Sequence, residues 1–239
     1  MKRIAITAGR RARSPGRRTG RHALPMPTPS AGTRQGDGTI PPRMTSDAPA
    51  GAWLFRYRSS LPVPLALILV LVRRGEVAAP WILVVGPLLA AVGEALRLWA
   101  VRHIGTISRT RTTRYGPLIA GGPYGIVRNP LYVGNWCLWT GFAVWSGLLW
   151  MLPVAWVLFV LQYRAIARWE GSFLRGIYHE TYDDYARNVR AWVPRWPPHA
   201  APSPGPVHPW RDVFFSERGT LIAAAVMAVL LTVKHWVFG

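Results

Sequence analysis

The sequence has little cysteine, little acid and no clustered metal ligands. Cys137 is the single cysteine, so no intramolecular disulfide can form, and the six histidines show no Cys/His spacing of a metal site. Ten acidic residues stand against 29 basic ones. Residues 131–163 contain no charged residue at all, a run that soluble domains rarely contain. We therefore predict a membrane protein that takes no metal as a partner.

The basic excess has two parts. Residues 1–43 hold ten of the basic residues and one acid among Gly, Pro, Ser and Thr, which predicts a disordered tail, or upstream sequence before a start at Met44. The remaining arginines flank apolar runs, as cytoplasmic loops of membrane proteins do. A basic chain can also bind nucleic acid, but no nucleic-acid motif is present, and membrane topology explains the charges. We predict no nucleic-acid partner.

Long apolar runs predict an all-α, polytopic membrane bundle of about five transmembrane helices. The runs cover 61–72, 78–101, 131–145, 148–163 and 219–238, and Ser146-Gly147 marks a turn between the third and fourth. Glu94 and Arg97 share one face of the second helix, either as a helix-end ion pair or as part of a polar site. Residues 165–193 are too polar to span and predict an amphipathic helix followed by a shorter one.

Charge asymmetry orients the bundle. The loop 102–130 contains five arginines and no acid, so we place it on the cytoplasmic side together with the N-terminus and the segment 164–218. The two polar segments then face each other across a cytoplasmic pocket. We divide the chain into a disordered basic tail (1–52), a membrane core (53–195), a proline-rich connector with an interfacial segment (196–218) and a C-terminal transmembrane helix (219–239).

The segment 121–134 is the candidate half of a binding site. It combines Gly and Pro backbone with Tyr124, Arg128 and Tyr132, and the facing segment contributes Glu170. No nucleophile–base pair is visible, which argues against hydrolysis. Methyl transfer from S-adenosylmethionine needs mainly positioning, because the donor brings its own leaving group. A carboxylate suits the donor's ammonium, an arginine its carboxylate and a tyrosine face its sulfonium.

Two motifs resemble those of a known family. The chain has Gly122-Pro123-Tyr124 followed by Val127-Arg128-Asn129-Pro130-Leu131-Tyr132-Val133-Gly134. This is similar to the "GPY…RHPxYxG" signature of the isoprenylcysteine carboxyl methyltransferase and phospholipid methyltransferase families. The second family motif, "EExxLxxxFGxxYxxY…P", is matched by Glu170, Leu174, Tyr178, Tyr182, Tyr185 and Pro194. The resemblance covers roughly residues 80–195.

The resemblance implies an integral-membrane enzyme with a cytoplasmic S-adenosylmethionine pocket. Its lipophilic acceptor, methylated at a carboxylate, amine or hydroxyl, would enter from the bilayer. The residues that the resemblance assigns to the donor are Leu118, Ile119, Tyr124, Asn129, Pro130, Leu131, Tyr132 and Glu170. We take Arg128, Glu170 and Arg168 as the candidate catalytic residues.

Several positions depart from the family pattern. The motif's His is Asn129, which cannot take up charge near neutral pH, and the second Glu of the pair is Gly171. The arginine that orients the acceptor in the family falls at Ile166. The nearest arginines, Arg164 and Arg168, each lie two positions away, a rotation of roughly 200° around a helix. The acceptor side of the site thus differs from the family more than the donor side does.

The family's Phe-Gly pair is also replaced, by Tyr178-His179. We expect His179 to be a solvated side chain rather than a base. Tyr182 and Tyr185 are expected either to pack or to reach the pocket.

Two other functions fit the same residues. The catalytic half of membrane sterol reductases resembles the same motif pair, so an NADPH-dependent reductase is one alternative, with Arg109, Arg111 and Arg114 as cations for the cofactor's phosphates. A non-catalytic membrane scaffold is the other, and it predicts no tight cofactor binding.

Overall fold

The described part of the chain is helical. The computed structural model describes residues 48–58, 60–73, 79–105, 118–200, 205 and 207–238, and within these ranges it has six α-helices and no strand. The helices are α1 (Ala48–Tyr57), α2 (Val63–Leu71), α3 (Ile82–Ile104), α4 (Pro130–Ser146), α5 (Met151–Asn188) and α6 (Trp210–Phe238). A 3₁₀ turn at Gly122–Gly125 precedes α4. The predicted all-α bundle is confirmed.

Three of the described helices are long and apolar enough to cross a bilayer, namely α3, α5 and α6. Two predicted spans are shorter. Helix α2 has 9 residues and α4 has 17, so at 1.5 Å per residue they extend about 14 Å and 26 Å, below the roughly 30 Å of a hydrocarbon core. Helices thus occupy all five predicted positions, but length and composition support a full crossing for three.

Helices α3 and α4 form the tightest pair because glycines bring their backbones into contact. A Cβ atom on Gly93 would lie 2.7 Å from the carbonyl oxygen of Gly134 and 2.9 Å from the Cα of Leu138. A Cβ on Gly141 would lie 2.8 Å from the Cα of Ala90. Membrane helices commonly associate through small residues spaced along one face, because apolar burial does not drive their association in lipid.

The predicted turn between α4 and α5 is confirmed. Gly147 follows the last residue of α4 with φ 76° and ψ 3°, the left-handed conformation that terminates many helices. Ser146 is buried, and its hydroxyl accepts a hydrogen bond from the Leu148 backbone N–H at 3.2 Å. The turn therefore returns the chain antiparallel to α4.

Helix α5 continues where the sequence predicted a break. The span expected to end at 163 and the amphipathic helix expected from 165 are continuous up to a kink at His179, where φ is 47° and ψ is −124°. A shorter helical stretch follows the kink and ends at Asn188, so the second short helix predicted in this segment is confirmed. Side chains with a Cβ rarely adopt the conformation of His179, so the kink carries backbone strain. The His179 side chain is exposed, as expected.

Helix α1 packs against α5. The Phe55 and Trp169 rings lie 5.1 Å apart. Because α1 begins at Ala48, residues 48–52 are helical, and the prediction that they belong to a disordered tail is wrong. The rest of that tail lies outside the described residues, as do Arg109, Arg111 and Arg114.

The segment after α5 is bound to the first motif. We call residues 189–199 the strap. Its backbone pairs with the motif through Arg128 N–H to Arg190 O at 2.9 Å and Arg195 N–H to Ile126 O at 2.9 Å. Its far end is held by the His199 N–H, which donates to Gly125 O. The sequence predicted a proline-rich connector from residue 196, and the strap, which includes its first residues, has no helix or strand but is held by these backbone hydrogen bonds.

Helix α6 is also longer than expected. Residues 210–218 were predicted as an interfacial segment separate from the last span, and the structure places both in one helix from Trp210 to Phe238. As a result Glu217 is carried into the bundle, where its side chain is buried.

Candidate active site

All ten site residues predicted from the sequence lie on the wall of one cavity. The cavity has a volume of about 1470 Å³, and its wall includes residues of all six helices, the 3₁₀ turn and the strap. The predicted residues on the wall are Leu118, Ile119, Tyr124, Arg128, Asn129, Pro130, Leu131, Tyr132, Arg168 and Glu170. Ligand pockets usually have volumes of about 300–1,000 Å³, so this cavity has room for more than one small molecule. The individual roles of these residues remain predictions.

Tyr132 and Glu170 form the polar centre of the site. The Tyr132 hydroxyl donates to Glu170 Oε2 at 2.8 Å, joining the second residue after Pro130 on α4 to the middle of α5. The Tyr132 ring stacks on Tyr163, with centroids 4.7 Å apart. Because both the hydroxyl and the ring are held, the Glu170 carboxylate has a fixed position at the cavity wall.

Tyr124 lines the cavity and has a buried hydroxyl. The residue is 7% exposed, and its carbonyl accepts a hydrogen bond from the Tyr185 hydroxyl at 2.8 Å. Its own Oη is buried with no hydrogen-bond partner among the residues that the structure describes. Burial, with smaller contributions from Tyr185 and Glu170, raises the pKa of Tyr124 well above its ordinary value. The hydroxyl therefore stays protonated and is available to donate to a ligand.

Arg128 and Asn129 line the cavity and contact two other parts of the chain, Tyr182 and the strap. The Arg128 guanidinium lies 3.4 Å from the Tyr182 hydroxyl through Nη1. The Asn129 amide donates to the carbonyl of Ala191 in the strap at 3.1 Å. Asn129 therefore uses its hydrogen-bonding side chain to hold the strap against the N-terminus of α4. Tyr182 and Tyr185 both reach the cavity wall, one of the two outcomes expected for them.

The acceptor-side arginines predicted on α5 are peripheral. Arg164 and Arg168 line the cavity, but both side chains are exposed. Ile166, at the position that the resemblance assigns to the acceptor-orienting arginine, is fully buried at 0% exposure. The buried part of α5 therefore brings no positive charge to this part of the wall.

Arg58 lines the cavity but was not among the site residues predicted from the sequence. It follows α1, lines the cavity and is close enough to act electrostatically on Glu170, Tyr132 and Tyr163. Its neighbours Trp53 and Phe55 made the stretch resemble an interfacial anchor, and no local pattern marked Arg58 as different. Trp192 of the strap also lies on the cavity wall and was missed for the same reason.

A second polar group lies between α3, α4 and α6. Arg97 contacts Glu94 at 3.1 Å and Glu217 at 2.7 Å. The same guanidinium donates to Asn135 Oδ1 and to the hydroxyl of Thr220 at 3.4 Å. The ion pair expected within α3 is therefore present, and it belongs to a larger buried cluster that reaches the cavity.

The family match covers this region. Residues 81–181 match the phospholipid methyltransferase family. The similarity to that family covers this segment, which is less than half of the chain. The match includes α3, α4, the whole of the first motif and most of α5. It also includes Glu170, Leu174 and Tyr178, the first half of the second motif, so the resemblance found in the sequence is confirmed. It supports a membrane methyltransferase.

Two curated relatives are named for metal resistance rather than for methyl transfer. The chain is 29% identical over 164 residues to the nickel-cobalt-cadmium resistance protein NccN of Alcaligenes xylosoxydans xylosoxydans, covering 66% of this chain and 74% of the relative. It is 31% identical over 134 residues to the cobalt-zinc-cadmium resistance protein CzcN of Cupriavidus metallidurans, covering 56% of this chain and 59% of the relative. No solved structure matches the chain. Within the described ranges, no three His, Cys, Asp or Glu residues converge as a metal site would require.

Proposed function

We propose that the chain is an integral-membrane methyltransferase that uses S-adenosylmethionine to methylate a lipophilic acceptor entering from the bilayer. The cofactor pocket and the N-terminus face the cytoplasm in this proposal. The observation that carries it is the gathering of all the predicted donor residues on one cavity, inside a segment of a membrane methyltransferase family.

The residues present fit the donor chemically. When bound, S-adenosylmethionine supplies a methyl group activated by its sulfonium. Glu170, held by Tyr132, offers a carboxylate to an ammonium group. Arg128 offers a guanidinium to a carboxylate, and the buried Tyr124 hydroxyl offers a hydrogen bond that no described protein group takes. The ring of Tyr132 offers a face to a sulfonium through a cation–π contact.

The chain's own contribution is positioning and the exclusion of water. Glu170 and Tyr132 come from different helices, and their hydrogen bond fixes the donor end of the cavity before anything binds. The strap closes over the motif and adds Ala191 and Trp192 to the wall. Because the donor brings its own leaving group, a pre-formed pocket that aligns donor and acceptor supplies most of what this reaction requires. A carboxylate acceptor takes the methyl group directly, whereas an amine or a hydroxyl must also release a proton to water or to a nearby carboxylate.

The curated relatives' names describe resistance to nickel, cobalt, zinc and cadmium, and the proposal is compatible with a supporting role in such resistance. A methyltransferase that modifies a lipid or lipophilic molecule of the membrane can serve resistance without itself holding a metal.

Ligand titration tests the proposal. The full chain, purified in a nonionic detergent, is titrated by calorimetry with S-adenosylmethionine and separately with NADPH. We expect the first to bind and the second not to bind. Glu170→Ala should weaken binding by about tenfold or more, because a buried charge-assisted contact is worth roughly 1.5–3 kcal/mol.

Glu180→Ala is the matched control. It removes the same side chain just beyond the kink at His179, at an exposed position that does not line the cavity. Binding of NADPH alone would replace the proposal with the reductase. Binding of neither cofactor would favour the scaffold, and equal losses in both variants would remove Glu170 from the donor site.

A further inference from the structure

The cavity has an apolar extension between α2, α4 and α6. Asn135 on α4 and Thr220 on α6 line the polar part of the wall, and the lining residues that follow them on these two helices are apolar. We call this extension the arm, and its wall includes Val63, Ala66, Leu138, Phe142, Ala224 and Met227. Helices α2 and α6 lie outside the segment matched by the family, so the match assigns nothing to the arm.

The far end of the arm is closed. The last lining residues are Phe142 on α4 and Met227 on α6. One turn further along α2, α4 and α6 lie Leu69, Ser146 and Leu231, which do not line the cavity and are each 0% exposed. We call these three residues the floor. A tail that enters the arm therefore meets packed protein at its end.

A buried lysine joins the helices of the floor. Lys234 on α6 is 6% exposed, and its ammonium donates to the carbonyl oxygen of Leu69 at 2.7 Å and to that of Ser146 at 3.3 Å. Leu69 and Leu231 also belong to one continuous apolar core with Met227. Because packed cores resist the insertion of extra atoms, we expect the floor to stay closed against a longer tail.

The helices give the length of the arm. Asn135 and Phe142 are seven residues apart, as are Thr220 and Met227, so at 1.5 Å per residue the arm extends about 10 Å beyond the polar wall. Carbon–carbon bonds of about 1.5 Å advance an extended chain by about 1.3 Å each, so the arm holds roughly eight carbons.

The side of the arm that faces away from the floor is open. Val63 on α2 is 51% exposed, and Ala223 on α6 is also exposed, although both line the cavity. They precede the floor residues of their helices by about 9 Å and 12 Å. An apolar tail can therefore enter from the bilayer between α2 and α6 and extend toward the floor.

We propose that the arm receives the apolar tail of the acceptor and that the floor, with Met227 as the last lining side chain of α6, limits this tail to about eight carbons. This inference rests on the proposed methyltransferase function and narrows its acceptor to molecules with one chain of medium length. Met227 is then a specificity-determining residue, because its side chain occupies the space that a longer tail would need.

A homologous series of unbranched primary alcohols tests the length limit without requiring catalysis. The full chain, immobilised in nonionic detergent, is equilibrated with an equimolar mixture of the series, and the bound alcohols are measured by gas chromatography. Dividing by the uptake into protein-free micelles removes each alcohol's preference for detergent. We expect the enrichment to be highest near eight carbons and about fivefold lower at twelve, equivalent to ~1 kcal/mol, because longer tails overpack the arm.

Two variants should move the maximum in opposite directions. Met227→Ala removes the last lining side chain of α6 and should shift the maximum to alcohols longer by about two carbons. Ala224→Leu adds a side chain within the arm and should shift the maximum to shorter alcohols. Leu230→Ala is the matched control, because it shortens an exposed side chain of the same helix that does not line the cavity, and it should keep the wild-type maximum.

Where Met227→Ala does not fold, Ala224→Leu provides the test. A wild type that enriches all lengths equally, or a folded variant of either residue that keeps the wild-type maximum, would overturn the inference.

The same preparations are titrated with S-adenosylmethionine, which separates the two proposals. Donor binding without a length preference refutes the length limit alone. A length preference that follows Met227 and Ala224 without donor binding leaves the tail site standing and refutes the methyltransferase.

Discussion

Gly93→Ala should separate α3 from α4. The new Cβ would lie 2.7 Å from the carbonyl oxygen of Gly134 and 2.9 Å from the Cα of Leu138, where ordinary contacts need about 3.4 Å or more. The facing atoms are backbone, so no side-chain rotation can make room. The helices must therefore move apart by roughly half an ångström to one ångström along their contact.

The size of the effect follows from two opposing contributions. Overpacking of this kind costs about 1–3 kcal/mol, and the backbone obstacle places Gly93 near the upper end. Alanine in a helix gains back about 1 kcal/mol relative to glycine. The net loss is about 2 kcal/mol, which lowers the unfolding midpoint by roughly 4–8 °C in a chain of this size.

Thermal unfolding of the purified protein in detergent, followed by circular dichroism, measures this shift. Gly171→Ala is the control, because its Cβ would meet only the end of the Tyr182 side chain, whose hydroxyl oxygen lies at 3.0 Å. That variant should be unchanged or slightly more stable. A Gly93→Ala protein that unfolds at or above the wild-type temperature would refute the close packing of α3 and α4.

Three further changes test single contacts. His179→Gly should raise the unfolding midpoint, since glycine relieves a backbone conformation at φ 47° that costs about 1–3 kcal/mol; a lower midpoint would contradict the kink. Tyr185→Phe should destabilise by about 0.5–1.5 kcal/mol in denaturant titrations, because the Tyr124 carbonyl loses its donor; an unchanged midpoint would remove this hydrogen bond. Asn129→Ala should speed hydrogen exchange of the strap, because the strap loses its contact at Ala191. Asn129→His keeps a donor, so its exchange should stay closer to that of the wild type. Equal exchange in all three proteins would show that Asn129 does not hold the strap.

The sequence predicted best those features that depend on residues close together in the chain. The Ser146-Gly147 turn was predicted because glycine tolerates the left-handed conformation that ends α4. The cavity residues around Tyr124 and Tyr132 were predicted because a motif fixes them relative to each other along the chain. In both cases the signal lies within a few consecutive residues.

Contacts between distant segments gave weaker signals. Arg58 and Glu217 both belong to the cavity wall, yet each is surrounded by residues typical of a membrane interface. Their role depends on helices α1 and α6 packing beside α5 and α3, which no local pattern specifies. The glycine spacing was an available signal that was not used: Gly86 and Gly93, like Gly134 and Gly141, are seven residues apart, so each pair lies on one helix face.

Two of the departures from the family pattern, Gly171 and Ile166, lie on α5 and both remove a charged side chain. Gly171 stands in place of a second glutamate, and a Cβ added there would lie 3.0 Å from the Tyr182 hydroxyl oxygen, so a longer side chain would displace Tyr182. Ile166, in place of arginine, is fully buried. Both changes lower the charge that α5 brings to the cavity, while the Tyr132–Glu170 hydrogen bond is kept.

The charge that α5 lacks is present on other helices. Arg97 from α3 supplies a buried guanidinium on the wall, and Glu217 from α6 holds it at 2.7 Å. If the donor binds as proposed, the donor end follows the family motif, whereas the buried guanidinium on the cavity wall comes from α3 and is held by α6. An acceptor positioned by an arginine on α5 therefore has no equivalent anchor at Ile166 in this chain.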